Sequence, residues 1–152
     1  MNSNPSGATH PTLLMVIWAI SSLGLQVLWP LKLPESLFFT TFGITAIILG
    51  CLLLVWADIA LRRGGATGAH SMPTKSLVIN GPFRFSRNPI YLSLILLFAG
   101  LALKYNNLWC LILIVPFTSV LHYRTILPEE KYLEQEFGAT YSDYRASVRR
   151  WL

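Results

Sequence analysis

Residues 11–31 form a run of 21 without a charged side chain, and residues 36–57 form a second run of 22. At 1.5 Å per residue, either run makes a helix of about 30 Å, the thickness of a bilayer's hydrocarbon core. A 152-residue globule has no room to bury such helices on all sides. Charge to cover a watery surface is also scarce, at 12% of residues against roughly 25% in soluble domains. The mean hydropathy of +0.51 agrees. Hydrophobicity excludes disorder, and two cysteines exclude a disulfide scaffold.

The first two spans are predicted near residues 12–29 and 37–57. Pro30 and Pro34 between them break any continuous helix. The second half is less plain. Residues 89–103 and 108–121 are apolar for only 15 and 14 positions, around a polar turn of Lys104, Tyr105, Asn106 and Asn107. Each run alone is short for a span. Together they read as a helical hairpin, with spans near 89–104 and 107–127 whose inner ends reach past the apolar run to line a polar cavity. The first 11 residues lack the basic start of a cleaved signal peptide, so the first span is read as retained behind a disordered tail. The expected fold is an all-α integral membrane protein with four transmembrane helices. Residues 12–152 make a single domain, ending in a cytoplasmic helical cap over 128–152.

Four spans place both termini on one side. Ten Lys and Arg residues fall on that side, and Lys32 and Lys104 fall on the other. Cations concentrate in cytoplasmic loops, so the loop 58–88 and the C-terminal tail are expected in the cytoplasm, beside anionic headgroups. Basic residues flank spans rather than forming a long run, which argues against nucleic acid. Cys51 and Cys110 read as small apolar fillers within spans. His10, His70 and His122 are scattered, and no metal site is expected.

The informative residues fall in two stretches, 72–91 and 124–152. In the first, Leu77-Val78-Ile79 ends at the turn signal Asn80-Gly81-Pro82. Asn88 then reads as an N-cap and Pro89 as the first residue of the third span. The N–H groups of that helix start, with Arg87 beside them, suit an anionic ligand group such as a carboxylate. Anchoring of Arg84 and Arg87 to lipid phosphate explains the same residues, and both readings stand. In the second stretch Arg124 is followed by Pro128, Glu129 and Glu130. The two acids suit the dipole of a helix start, which accounts for them without any chemistry. They point about 100° apart, so at most one aims straight into a given site. Phe137, Tyr141, Tyr144, Val148 and Trp151 are spaced as one apolar helical stripe, with Asp143, Arg145, Arg149 and Arg150 on the opposite face. Gly138 divides the tail into two short helices, 131–137 and 140–151. Asp58 and Arg62 are placed to pair at i,i+4, and the loop 64–70, which contains His70, reads as a solvated loop or a lid.

Together the two stretches resemble the isoprenylcysteine carboxyl methyltransferase and phospholipid methyltransferase family. The resemblance rests on Leu77, Val78, Gly81, Pro82, Phe83, Arg84, Arg87, Asn88, Pro89 and Tyr91, then Arg124, Glu129, Glu130, Leu133, Phe137, Gly138, Tyr141 and Tyr144. It implies a membrane-embedded enzyme that uses S-adenosylmethionine without a Rossmann fold. The cofactor would lie between the hairpin and the cap, and a lipidic or small amphiphilic acceptor would enter from the bilayer. On that resemblance Leu77, Val78, Gly81, Arg87, Asn88, Pro89, Tyr91 and Glu130 are expected to bind the cofactor. Arg124, Glu129 and Glu130 are expected at the chemistry. Many family members carry His where this chain has Asn88, and Asn cannot serve as a base near neutral pH. Two other functions fit the same layout: a non-catalytic membrane scaffold subunit, and a small nicotinamide-dependent membrane reductase of related architecture.

Overall fold

A computed structural model describes residues 11–65 and 76–152. The expected N-terminal tail and most of the loop carrying His70 lie outside the described residues. Those residues form helices α1 (Pro11–Leu28), α2 (Leu37–Arg63), α3 (Pro89–Lys104), α4 (Leu108–Leu121), α5 (Leu127–Phe137) and α6 (Ala139–Ser147). A 3-10 turn, Gly81–Arg84, precedes α3, and a π turn, His122–Ile126, joins α4 to α5. No β-strand occurs among the described residues.

Among the described residues three helices are long and apolar enough to cross a membrane: Pro11–Leu28, Leu37–Arg63 and the continuous Leu108–Phe137. The apolar α3 is shorter, at 16 residues. Outward faces of α1 and α2 carry Leu13, Val16, Ile20, Leu23, Phe38, Phe42, Leu49, Leu52 and Val55, all exposed. A contiguous apolar surface of that kind needs lipid or a partner to cover it.

Helix ends follow local chemistry. Ser36 Oγ accepts from Phe38 N at 3.2 Å and starts α2 just after Pro34. The helix runs six residues beyond the predicted 57, because Asp58, Arg62 and Arg63 leave the apolar run without breaking the helix. The expected Asp58–Arg62 pair forms at 2.7 Å, and Gly64 closes the helix by donating to Ala60 O. Asn107 Oδ1 accepts from Cys110 N at 3.1 Å and starts α4.

Helix α3 is the hub, packed by α2, α4 and α1. The buried residues of α2 are all small: Gly43, Ala46, Gly50 and Ala57. A Cβ on Gly43 would lie 2.8 Å from Gly100 O, and one on Gly100 would lie 2.7 Å from Gly43 O. The two backbones therefore touch directly. Where water does not drive helices together, such close approach supplies the attraction. On its other side α3 builds the core with α4, where Phe98 and Phe117 pack at 5.4 Å between ring centroids. Tyr91, Leu94, Cys110, Leu121 and Ile126 surround them, with Trp18 and Trp151 against the edge. Cys110 is buried as expected, whereas Cys51 faces outward from α2.

The predicted boundary between last span and cap, at 127/128, is no break. Pro128 lacks the N–H that an α-helical bond would need, and the turn before it widens to π geometry instead of ending the helix. The expected bend at Gly138 is present, with φ +51° and ψ −123°. The apolar stripe is not one helix, however. Phe137 ends α5, α6 stops at Ser147, and Val148 is extended at φ −123° and ψ 131°. Residues 148–151 form a strap instead.

Candidate active site

The two motif stretches meet. The 3-10 turn brings Phe83 inward, and Tyr144 of α6 donates its hydroxyl to Phe83 O at 2.7 Å. Arg87 N donates to Arg149 O at 3.0 Å. The Arg150 carbonyl accepts from Asn88 Nδ2 at 3.0 Å and from Ser86 Oγ at 3.3 Å. These bonds lash the strap to the start of α3. They also correct the role expected of Asn88. It stands at the N-cap position, but its side chain makes no capping bond; its Nδ2 donates to the Arg150 carbonyl.

At the centre lies Glu130. Its Oε1 is 3.2 Å from Arg87 Nη1. Arg150 forks onto it, Nε to Oε1 and Nη2 to Oε2, both at 2.8 Å. The Arg87 and Glu130 side chains are only 8% and 11% exposed, and charges so placed persist only when paired. Arg87 Nη1 also donates to Tyr141 Oη at 3.3 Å, while its buried Nε has no hydrogen-bond partner. Glu129, one residue earlier, points elsewhere: Tyr91 donates its hydroxyl to Glu129 Oε2 at 2.5 Å. Burial, and then the Glu130 charge, push the Tyr141 phenol up, against the pull of Arg87. Burial likewise pushes Tyr144 up.

Between these groups opens a cleft of about 550 Å³, counting the open solvent at its mouth. Leu61, Leu77, Val78, Phe83 and Leu133 make an apolar wall; Arg87, Asn88, Glu129, Glu130, Tyr141 and Tyr144 make a polar one. Of the residues predicted from sequence, Leu77, Val78, Arg87, Asn88, Glu129 and Glu130 line it. Gly81 does not. It takes φ +63° against Trp56 and Ala60, where a side chain would be strained. Pro89 is buried as the first residue of α3, and Tyr91 sits behind Glu129. Arg124 is exposed on the π turn and is not on the cleft wall.

Arg150 is the residue that sequence reasoning missed. A helical wheel sends it outward, but α6 ends three residues before it and the strap turns it in. The only sequence signal was a pair of adjacent acids in want of counter-charges, and that did not say which cations would supply them. Among the described lining residues there is no Cys, His or Lys, and no cluster of His, Cys, Asp or Glu suited to a metal occurs among the described residues. The charges on this wall are one guanidinium, Arg87, and two carboxylates, Glu129 and Glu130, beside an apolar face.

The chain is 31% identical over 110 residues to the protein-S-isoprenylcysteine O-methyltransferase of Saccharomyces cerevisiae, covering 66% of this chain and 46% of that protein. It thus spans about half the length of that relative. It is 38% identical over 63 residues to an uncharacterized protein of Haemophilus influenzae, covering 41% of this chain and all of the other. No solved structure matches. Residues 38–140, from the start of α2 to the start of α6, match the family described as phospholipid methyltransferase. The chain belongs to the phospholipid methyltransferase family.

Proposed function

We propose that the protein is an S-adenosylmethionine-dependent methyltransferase acting on a lipidic or small amphiphilic acceptor at the cytoplasmic face of a membrane. The observation that carries the reading is the 3.2 Å contact between Arg87 and Glu130 on the wall of an open cleft. It joins the two motif stretches across some forty residues of apolar hairpin. Family membership supports the reaction class, and the excess of Lys and Arg at the cleft end supports the cytoplasmic side.

The residues present fit the cofactor. Arg87 is buried and retains an Nε–H without a partner, which suits the carboxylate of an amino-acid group. The paired acids suit an ammonium or ribose hydroxyls. Leu77, Val78 and Leu133 offer an apolar face to a flat base. Bound adenosylmethionine supplies a methyl group already activated on a sulfonium, so the protein mainly aligns donor and acceptor. Arg87 anchors one end, and the strap keeps Arg87 in place through Arg149 and Glu130. The apolar wall excludes water. Arg124, exposed beside the helix, is assigned to the acceptor's polar head rather than to the cofactor.

Calorimetry on the full chain in lipid nanodiscs tests this. The folded protein is expected to bind adenosylmethionine, and Arg87→Ala is expected to abolish binding while still extracting as a folded species. A tritiated-methyl transfer screen on total lipid extract then identifies the acceptor. Binding of a nicotinamide cofactor instead, or of neither cofactor, refutes the proposal in favour of a reductase or a scaffold.

A further inference from the structure

We infer that Arg150 is a positioning residue for the ligand site: it neutralises Glu130, so that the charge of Arg87 stays available to an anionic group of the ligand. This deepens, and rests on, the reading under Proposed function. Glu130 meets two guanidiniums and treats them unequally. Arg150 takes the bidentate fork, Nε to Oε1 and Nη2 to Oε2, both at 2.8 Å. Forks of this kind are among the strong contacts of a carboxylate. Arg87 makes a single contact, Nη1 to Oε1 at 3.2 Å, and the same nitrogen donates to Tyr141 Oη at 3.3 Å. Its Nε has no hydrogen-bond partner among the described residues. Arg87 and Glu130 line the cleft, and Arg150 is not among the residues that line it. Arg150 therefore acts on a ligand through Glu130.

An Arg87–Glu130 pair alone is neutral, and its best geometry is that same fork. Glu130 would then consume both the charge and the donors of Arg87. With Arg150 holding the fork, the three side chains carry two positive charges and one negative. The Arg87 and Glu130 side chains are only 8% and 11% exposed, so water screens the surplus poorly, and an anion in the cleft compensates it. Burial pushes the phenols of Tyr141 and Tyr144 up, so both are neutral near pH 7 and neither cancels the surplus. The delivery of Arg150 is built into the stretch that carries Arg87. Arg87 N donates to Arg149 O at 3.0 Å. Ser86 and Asn88, on either side of Arg87, donate to the Arg150 carbonyl at 3.3 and 3.0 Å. One short segment thus sets both guanidiniums around one carboxylate. Glu129 lines the same cleft, and its charge is common to every variant compared below.

The test compares two probes on the full chain in nanodiscs: adenosylmethionine and decarboxylated adenosylmethionine, which lacks the carboxylate and keeps the ammonium. The wild type is expected to prefer adenosylmethionine by about tenfold or more, the worth of a charged hydrogen bond. Arg150→Gln should collapse that preference, because Glu130 then claims Arg87. A purely structural strap would weaken both probes alike and leave the preference intact. Combining Glu130→Gln with Arg150→Gln should restore the preference, since no carboxylate is left at 130 to claim Arg87, although the double variant is less stable than the wild type. A preference kept in Arg150→Gln, or not restored in the double variant, overturns the inference. If Arg150→Gln does not fold, Glu130→Gln alone decides: it is expected to keep the preference, and its loss there overturns the inference. A wild type that binds both probes equally overturns it too, and leaves the cofactor reading standing. A wild type that binds neither probe overturns that reading, and this inference falls with it.

Discussion

Replacing Glu130 by alanine removes the carboxylate that holds Arg87 and the C-terminal strap together. The Arg87 side chain, 8% exposed, is left without its partner, and Arg150 loses two bonds of 2.8 Å. Removing one partner of a buried ion pair costs about 3–5 kcal/mol. Arg150 is 30% exposed, so water screens its share, and a loss of about 3 kcal/mol is expected. Arg150→Ala leaves Glu130 paired with Arg87 and should cost about 1–2 kcal/mol. In the double variant the Arg150 bonds are already gone, so its loss should stay near that of Glu130→Ala alone. The coupling between the two sites is then about 1–2 kcal/mol. Equilibrium unfolding in mixed detergent micelles, followed by tryptophan fluorescence, measures it, since Trp151 of the strap packs against the core. A coupling below about 0.5 kcal/mol would show that the strap is not held through Glu130.

Gly100→Ala should destabilise the chain by about 1–3 kcal/mol, because its Cβ would lie 2.7 Å from Gly43 O and 2.9 Å from Ile47 N, both backbone atoms. Gly24→Ala, within α1 and with nothing within 4 Å, should be neutral or stabilising by up to about 1 kcal/mol; the same unfolding assay compares them, and equal losses would refute the close α2–α3 contact. Alkaline pH should destabilise the cap. Burial favours the protonated phenols of Tyr141 and Tyr144 in the fold, whereas unfolded tyrosine titrates near about 10. Their contribution is therefore fully present below about pH 10 and lost as pH rises further. The unfolding midpoint measured from pH 8.5 to about 11.5 should fall less steeply in Tyr144→Phe than in the wild type; identical slopes would refute that account.

The apolar helices and the motif stretches were legible in the sequence because they depend on properties local to the chain. Uncharged runs of bilayer length, prolines between them and cap residues such as Ser36 and Asn107 act within a turn or two. The hairpin of α3 and α4 could be read from two short apolar runs around Asn106 and Asn107, and the bend at Gly138 from one residue. What the local pattern could not carry was direction. Periodicity alone put Arg150 on a solvent face and Tyr141 to Trp151 on one helix, since nothing near them announces that α6 stops at Ser147. Bonds from Arg87, Ser86 and Asn88, sixty residues away, turn the strap inward. The pattern equally left Glu129 and Glu130 equivalent. Only tertiary packing, with Tyr91 on one side and two guanidiniums on the other, made them different. Side-chain identity and spacing decide which helices form and which of their faces are apolar. The meeting of charges drawn from distant segments depends on how those helices stack, and that is set by contacts such as Gly43 against Gly100, which no single stretch of sequence contains.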